Sequence, residues 1–346
     1  MAYPSAVSFE TLTPPRGVPR FPALDGWRGI SILLVMAGHL FPLGPKSLNM
    51  NAAVAELGMA IFFTLSGFLI TTTLLYHPST AEFLIRRLCR IVPLAWLFSL
   101  LVLAAGTASW QTYAAHLLFF GNLPPFLLTE HTSHLWSLGV EMQFYATIAL
   151  IFFLSGRRGL WWSIPILAAA VTTNRVLTHT LVSIVTWLRA DEILAGGMLA
   201  LICSQPSLVR IRAFLAWVPP LAVLPLAVLS ANDLAGAISY LRPYLVAIMV
   251  GSTLFKDGRT APARLLQTRV LAYIAAISYA LYILHPIVSW GWLGSGSALV
   301  RYTKRIPELA VLFALAHVST FYFEHFWIRS GKRWCKSMNE PAKAAC

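Results

Sequence analysis

Apolar runs long enough to cross a lipid bilayer recur along this chain and restrict its folds to those a membrane permits. A hydrocarbon core ~30 Å thick takes about 20 residues of helix to cross. Such runs fall at 27–42, 57–76, 91–106, 137–155, 160–174, 185–203, 213–230, 241–255, 270–293 and 307–328. Charged residues make up 11% of the 346 and hydrophobic residues 58%, whereas soluble domains carry about 25% charge. In lipid every backbone N–H and C=O must find a partner within the protein, which a helix provides within one segment. The expected fold is all-α: a polytopic transmembrane helix bundle of about ten membrane-spanning helices. It would form a single domain over 24–330, between an N-terminal arm (1–23) and a basic tail (331–346).

The net charge of +13 raises the question of a nucleic-acid partner, and its distribution answers against one. With the N-terminus cytoplasmic, eighteen of the 26 Lys and Arg residues fall in inner segments. Among them are Arg16, Arg20, Arg86, Arg87, Arg90, Lys256, Arg259 and Lys343. Only Lys46, Arg175, Arg242, Arg301, Lys304 and Arg305 fall outside, with Arg28 and Arg189 left in the membrane region. That asymmetry is the positive-inside pattern, so the basic balance reads as topology. The proline-rich residues 1–23 have no apolar core and are not expected to be a cleaved signal peptide. Cys89, Cys203, Cys335 and Cys346 fall on or near the inner side, so neither disulfides nor a zinc site is expected. The chain reads as a multi-pass protein of the cytoplasmic membrane, with the lipid bilayer as its first partner.

Polar residues inside such runs are costly and mark function or pairing. Arg28 opens the first run and His39 follows eleven residues on, ~16 Å away along a helix. In the second run, Ser66-Gly67 either lets another helix approach closely or leaves a narrow path for an acyl chain. Arg86, Arg87 and Arg90 at the mouth of the third run suit bidentate phosphate binding, or else anchor the helix at the headgroups. His131 and His134 are three apart, but no third ligand supports a metal. Glu141 needs a reason to be in a span: a partner in Arg28 or Arg189, or work on an acceptor hydroxyl. Arg189 and Asp191 cannot share a helix face and are expected to pair with other helices. Tyr279, Tyr282 and His285 form one polar stripe.

Six ordered blocks carry a resemblance. They are Leu24-Asp25-Gly26-Trp27-Arg28-Gly29 with His39 beyond it, Phe62-Phe63-Thr64-Leu65-Ser66-Gly67-Phe68-Leu69, and Arg86-Arg87-x-x-Arg90. The others are His134-Leu135-Trp136-Ser137-Leu138-Gly139-Val140-Glu141, Arg189-Ala190-Asp191 and Ser278-Tyr279-x-x-Tyr282-x-x-His285. Together they resemble the acyltransferase-3 family of integral membrane acyltransferases. The resemblance implies about ten spans and transfer of an acyl group, often acetyl, from cytosolic acyl-CoA to an acceptor. The acceptor is commonly a sugar of a surface polysaccharide, lipopolysaccharide or exopolysaccharide. It implies His39 as the essential histidine, Arg28 as its motif partner, and Arg86, Arg87 and Arg90 as binders of the CoA phosphates. The chain departs from the family pattern twice. Met142 stands where a second acid is common, and Glu324-His325-Phe326 replaces a frequent Glu-x-Pro.

On this reading acyl-CoA is a co-substrate and no cofactor is tightly bound. The pantetheine arm would thread past Ser66 and Gly67 to His39, deep in the protein, acting as general base or acyl carrier. Glu141 would hold the acceptor hydroxyl, with His134, Tyr145, Arg189, Asp191, Tyr279, Tyr282 and His285 lining the acceptor site. Two other readings stay open: the same chemistry on a lipid or small secondary metabolite, and a transporter or flippase without chemistry.

Overall fold

The structure is a computed structural model and describes residues 21–76, 79–255 and 260–339. Arg16, Arg20, Lys256, Arg259, Lys343 and Cys346, and most of the expected N-terminal arm, lie outside the described residues. No strand occurs among the described residues, and the fold is all-helical. In chain order the helices are α1 (Pro22–Leu40), α2 (Met50–Tyr76), α3 (Thr80–Ala104), α4 (Trp110–Leu117), α5 (Trp136–Leu177), α6 (Asp191–Ser204) and α7 (Val209–Trp217). They continue as α8 (Pro220–Ala231), α9 (Arg242–Leu254), α10 (Ala261–Leu266), α11 (Arg269–Leu284), α12 (Gly291–Gly294), α13 (Ala298–Val318) and α14 (His325–Asn339).

Among the described residues, six helical stretches are long and apolar enough to cross a membrane, or seven if the pair Asp191–Ser204 and Pro206–Trp217, bent by 100°, is one span. The ten expected runs map onto them unevenly for local reasons. The runs at 137–155 and 160–174 both lie within the 42 residues of α5, which is two helical segments that meet at Gly156. At Gly156 the backbone turns to φ 59° and ψ −151°, and the helix kinks there. The last run is likewise part of a 41-residue stretch in which α13 and α14 are joined by a π-helical segment, Ser319–Glu324. The run at 213–230 is divided between α7 and α8 by Pro219 and Pro220, since proline lacks the N–H an interior turn needs.

Helix α2 is central. Phe63, Phe68, Ile61, Leu65, Ile70 and Leu74, pointing all round it, are fully buried, as expected of a helix apolar on every side. It packs on α1 and α6, and α1 packs in turn on α11. The crossing of α2 and α6 depends on glycine. A Cβ on Gly67 would stand 1.7 Å from the Ile193 carbonyl oxygen, and one on Gly196 2.0 Å from that of Thr64. Of the two readings of Ser66-Gly67, close helix packing is therefore what Gly67 provides.

Candidate functional site

Helix α1 is an unbroken rod from Pro22 to Leu40 with Asp25 in its first turn and His39 in its last. Arg28 and His39 thus belong to two polar sites ~16 Å apart on one helix.

At the arginine end, Arg28, Arg87 and Arg90 are close enough to act on one another electrostatically. The Arg87 guanidinium lies over the Tyr145 ring, 5.7 Å from its centroid. The Tyr145 hydroxyl donates to Glu141, and Ser66 Oγ donates to Glu141 Oε1 at 2.7 Å. The buried Glu141 acts on Arg28 and Arg90 on one side and on Tyr282 on the other, so it stands between the two ends. It forms no ion pair with Arg28 or Arg189 within contact distance. Arg86 is set apart from the cluster by its pairing with Glu82 one turn earlier. Arg87 and Arg90, rather than Arg86 and Arg90, are the pair that faces Arg28. A hydrocarbon-lined groove of about 440 Å³ opens beside them between α3 and α5, bordered by Leu84, Arg87, Leu88, Met142, Tyr145 and Phe153. Tyr279 also sits toward this end, its hydroxyl donating to the Ile91 carbonyl of α3 at 2.5 Å.

At the histidine end, His39 Nδ1 is 2.8 Å from His285 Nε2, with the ring centroids 5.1 Å apart and the ring planes inclined by 13°. His285 is buried in the turn after α11, its Nδ1 2.7 Å from the Tyr282 carbonyl oxygen. The His134 ring meets the His285 ring edge-on at 5.5 Å, and its Nε2 is 3.2 Å from the Ile283 carbonyl oxygen. The Tyr282 hydroxyl donates to the His134 carbonyl at 2.5 Å and stands 2.5 Å from Ser137 Oγ. Thus blocks separated by some 150 residues of sequence meet at the end of α1. His39 itself is exposed.

A third group of charges lies beside this end. Arg189 pairs with Glu56 at 2.7 Å and Glu192 at 3.3 Å, and Arg242 with Glu192 at 2.7 Å and Glu56 at 3.5 Å. Arg175 pairs with Asp191 at 2.5 Å. The Arg189 guanidinium also lies 5.1 Å from the Trp136 ring centroid and 5.9 Å from that of Phe63. Arg189 and Asp191 do pair with other helices, as their spacing requires. Arg175 and Arg242, expected in outer loops, are instead 1% and 0% exposed. Glu56, close enough to act on His39, and Glu192 were not singled out from sequence. The signal that flagged Glu141, an acid inside an apolar run, applies to Glu192, whereas Glu56 lies one residue before the run at 57–76. The expected acceptor-lining set thus divides three ways: His134, Tyr282 and His285 meet His39, Tyr145 and Tyr279 stand at the arginine end, and Arg189 and Asp191 belong to the charged group.

Outside the spans, α4 is tied down by His116. Its Nδ1 is 2.7 Å from the Thr112 carbonyl oxygen and its Nε2 2.7 Å from Thr132 Oγ1. Burial holds this imidazole below the ordinary histidine range.

Comparison with known proteins bears on what this arrangement is for. No solved structure matches the chain. It is 29% identical over 181 residues to Acyltransferase MdmB of Streptomyces mycarofaciens, covering 46% of each chain. It is 31% identical over 152 residues to the putative peptidoglycan O-acetyltransferase YrhL of Bacillus subtilis (strain 168), covering 36% of this chain and 22% of that one. To the peptidoglycan O-acetyltransferase OatA of Listeria monocytogenes serovar 1/2a it is 27% identical over 152 residues, covering 36% and 23%. The chain thus spans less than half the length of these curated relatives. The acyltransferase-3 family model, an acyltransferase domain, matches residues 21–325, taking in both ends of α1 and the charged group. This chain belongs to the acyltransferase-3 family.

Proposed function

We propose that this protein takes an acyl group, acetyl in the simplest case, from cytosolic acyl-CoA and transfers it to a hydroxyl of a surface glycan. The observation that carries this reading is α1, with a cluster of three arginines at one end and an exposed histidine at the other. Acyl-CoA is a polyanion with a long neutral arm. Arg28, Arg87 and Arg90 suit its phosphates, and the pantetheine arm suits the ~16 Å to His39. Two relatives named as peptidoglycan O-acetyltransferases favour a glycan as acceptor.

In this reading the protein spans the cytoplasmic membrane about ten times with its N-terminus inside, which sets the arginine end toward the cytosol. Acyl-CoA is a co-substrate, and the enzyme needs no tightly bound cofactor. The imidazole of His39 takes the proton of the acceptor hydroxyl, whose oxygen forms a bond to the thioester carbonyl carbon. The carbon–sulfur bond breaks, and the proton leaves with the CoA thiolate. In the acyl-histidine variant a carbon–nitrogen bond forms as the carbon–sulfur bond breaks and CoA leaves as its thiol; the acceptor oxygen then bonds to the carbonyl carbon as the carbon–nitrogen bond breaks, and the hydroxyl proton returns to the imidazole. Tyr282 and His134 border the acceptor side, with Arg189 and Asp191 shaping the neighbouring charged wall.

A lipid acceptor is the second reading, favoured by the hydrocarbon-lined groove beside Arg87 and Tyr145. The test uses purified protein and acetyl-CoA, with O-acetyl groups on surface glycan and on extracted lipid measured by mass spectrometry in matched cells. Thioester consumption that disappears in His39→Ala is expected. A transporter would consume none, and full consumption by His39→Ala would sink the mechanism.

A further inference from the structure

The two histidines at the end of α1 have a fixed hydrogen-bond order. His285 Nδ1 lies 2.7 Å from a main-chain carbonyl oxygen, that of Tyr282. A carbonyl oxygen only accepts, so this nitrogen carries the proton, and the neutral ring presents a lone pair at Nε2. That lone pair faces His39 Nδ1 at 2.8 Å, so His39 Nδ1 is the donor. Nε2 of His39 then keeps its own lone pair and has no partner among the described residues, on a ring that is exposed. His285 is the opposite case: its ring is 1% exposed and both nitrogens are engaged. It is held by the edge of His134 and by its bond to the Tyr282 carbonyl oxygen one turn earlier.

We propose that His285 is a positioning residue for His39. It locks His39 in the Nδ1–H tautomer and aims Nε2 at the reacting groups, the task a carboxylate performs in a serine-hydrolase triad. The inference rests on the acyl-transfer reading above and deepens it by naming the reacting atom. Nε2 is the nitrogen that takes the acceptor proton or carries the acyl group. Because both His285 nitrogens are engaged within the protein, the residue does not line the acceptor site, which revises the expectation from its sequence position. Its partner here is an imidazole lone pair rather than a carboxylate. The cation formed at His39 is therefore steadied by a hydrogen bond and not by an ion pair at that nitrogen.

Two measurements test this. In the first, the purified wild-type protein is treated briefly with diethyl pyrocarbonate and the modified histidines are mapped by mass spectrometry. His39 is expected to be carbethoxylated and His285 protected; equal labelling of the two would overturn the assignment. In the second, acetyl-CoA consumption with chitotetraose as acceptor is followed for His285→Ala, His285→Gln and His285→Asn, per mole of monodisperse protein. His285→Ala is expected to lose roughly 10²–10⁴-fold in kcat with KM for both substrates unchanged. His285→Gln, whose Oε1 can reach the place of Nε2, should recover at least about tenfold of that loss, and the shorter Asn should not. A change confined to KM, or Asn as active as Gln, would overturn the proposal. The Gln and Asn contrast decides the matter if the alanine variant fails to fold. If wild type consumes no thioester, or His39→Ala keeps full activity, the acyl-transfer reading fails instead, and the labelling pattern still decides the order of the two rings.

Discussion

Ser66 on α2 and Glu141 on α5 are 75 residues apart in sequence, and the serine hydroxyl donates to Glu141 Oε1 at 2.7 Å. With Tyr145 donating to the same oxygen, one carboxylate satisfies two buried hydroxyls. Glu141→Ala would leave both unpartnered, at about 1–3 kcal/mol each. The expected outcome is a clear drop in the unfolding temperature in detergent together with lost activity. Ser66→Ala, which leaves Glu141 its tyrosine, should cost less than half as much. Differential scanning fluorimetry of the two variants checks the order.

The three arginines of α3 should separate in function. Arg87→Ala and Arg90→Ala each remove a guanidinium from the group facing Arg28, and each is expected to raise the KM for acetyl-CoA by about 10- to 100-fold, equivalent to a charge-assisted hydrogen bond. Arg86→Ala removes a helix-surface pair with Glu82, worth about 0.3–0.5 kcal/mol. Its KM should stay near wild type. An equal rise in all three variants would contradict the division.

Gly67 tolerates no side chain. Because a Cβ there meets the Ile193 carbonyl at 1.7 Å, Gly67→Ala forces α2 away from α6, and overpacking of this kind costs about 1–3 kcal/mol or more. Little monodisperse protein is expected on size-exclusion chromatography. Gly156→Ala provides the contrast. It strains a positive φ of 59° but meets nothing within 4 Å, and the variant should be recovered in good yield.

Breaking the buried pair between Arg242 and Glu192 should be far worse than replacing both partners. Arg242→Met alone leaves Glu192 and Glu56 to share the single cation Arg189, one buried negative charge in excess, and is expected to cost about 3–5 kcal/mol. Adding Glu192→Leu should recover a large part of that loss, so a thermal double-mutant cycle will be strongly non-additive.

His116 supplies a pH dependence outside the spans. Burial depresses its titration in the folded protein, while the unfolded chain titrates at about 6.5. Below that pH the unfolded state binds the extra proton, so the stability His116 contributes is complete above about pH 6.5 and falls as the pH drops toward the lower folded value. Unfolding temperatures between pH 7.5 and 5 should decline less steeply in His116→Gln than in wild type.

The sequence revealed the helical class and the family because both are written in local signals: long apolar runs, and polar residues at fixed spacings within them. Arg28 and His39 lie on one helix, so their separation followed from its rise alone. Relations between helices were less legible. Nothing in the alternation around Gly156 distinguishes one kinked helix from two spans, and Arg175 and Arg242 look like loop charges until Asp191 and Glu192 are seen opposite them. The partition of Arg86 from Arg87 depends on Glu82, four residues earlier, which competes for only one of the three. Tyr145 and Tyr282 both resembled acceptor ligands, but α5 and α11 deliver their hydroxyls to different levels of the bundle.

The charged group beside the histidine end has a consequence for how the protein responds to an energised membrane. Arg175, Arg189 and Arg242 are matched by Glu56, Asp191 and Glu192, so three cations and three anions, all buried except the half-buried Glu56, sum to no net charge. A transmembrane voltage does work of about 2.3 kcal/mol per elementary charge per 100 mV, and on a neutral set that moves as one body this work cancels. The group can therefore stay ionised and ordered whether the membrane is polarised or not, which makes it a voltage-indifferent support for the histidines beside it.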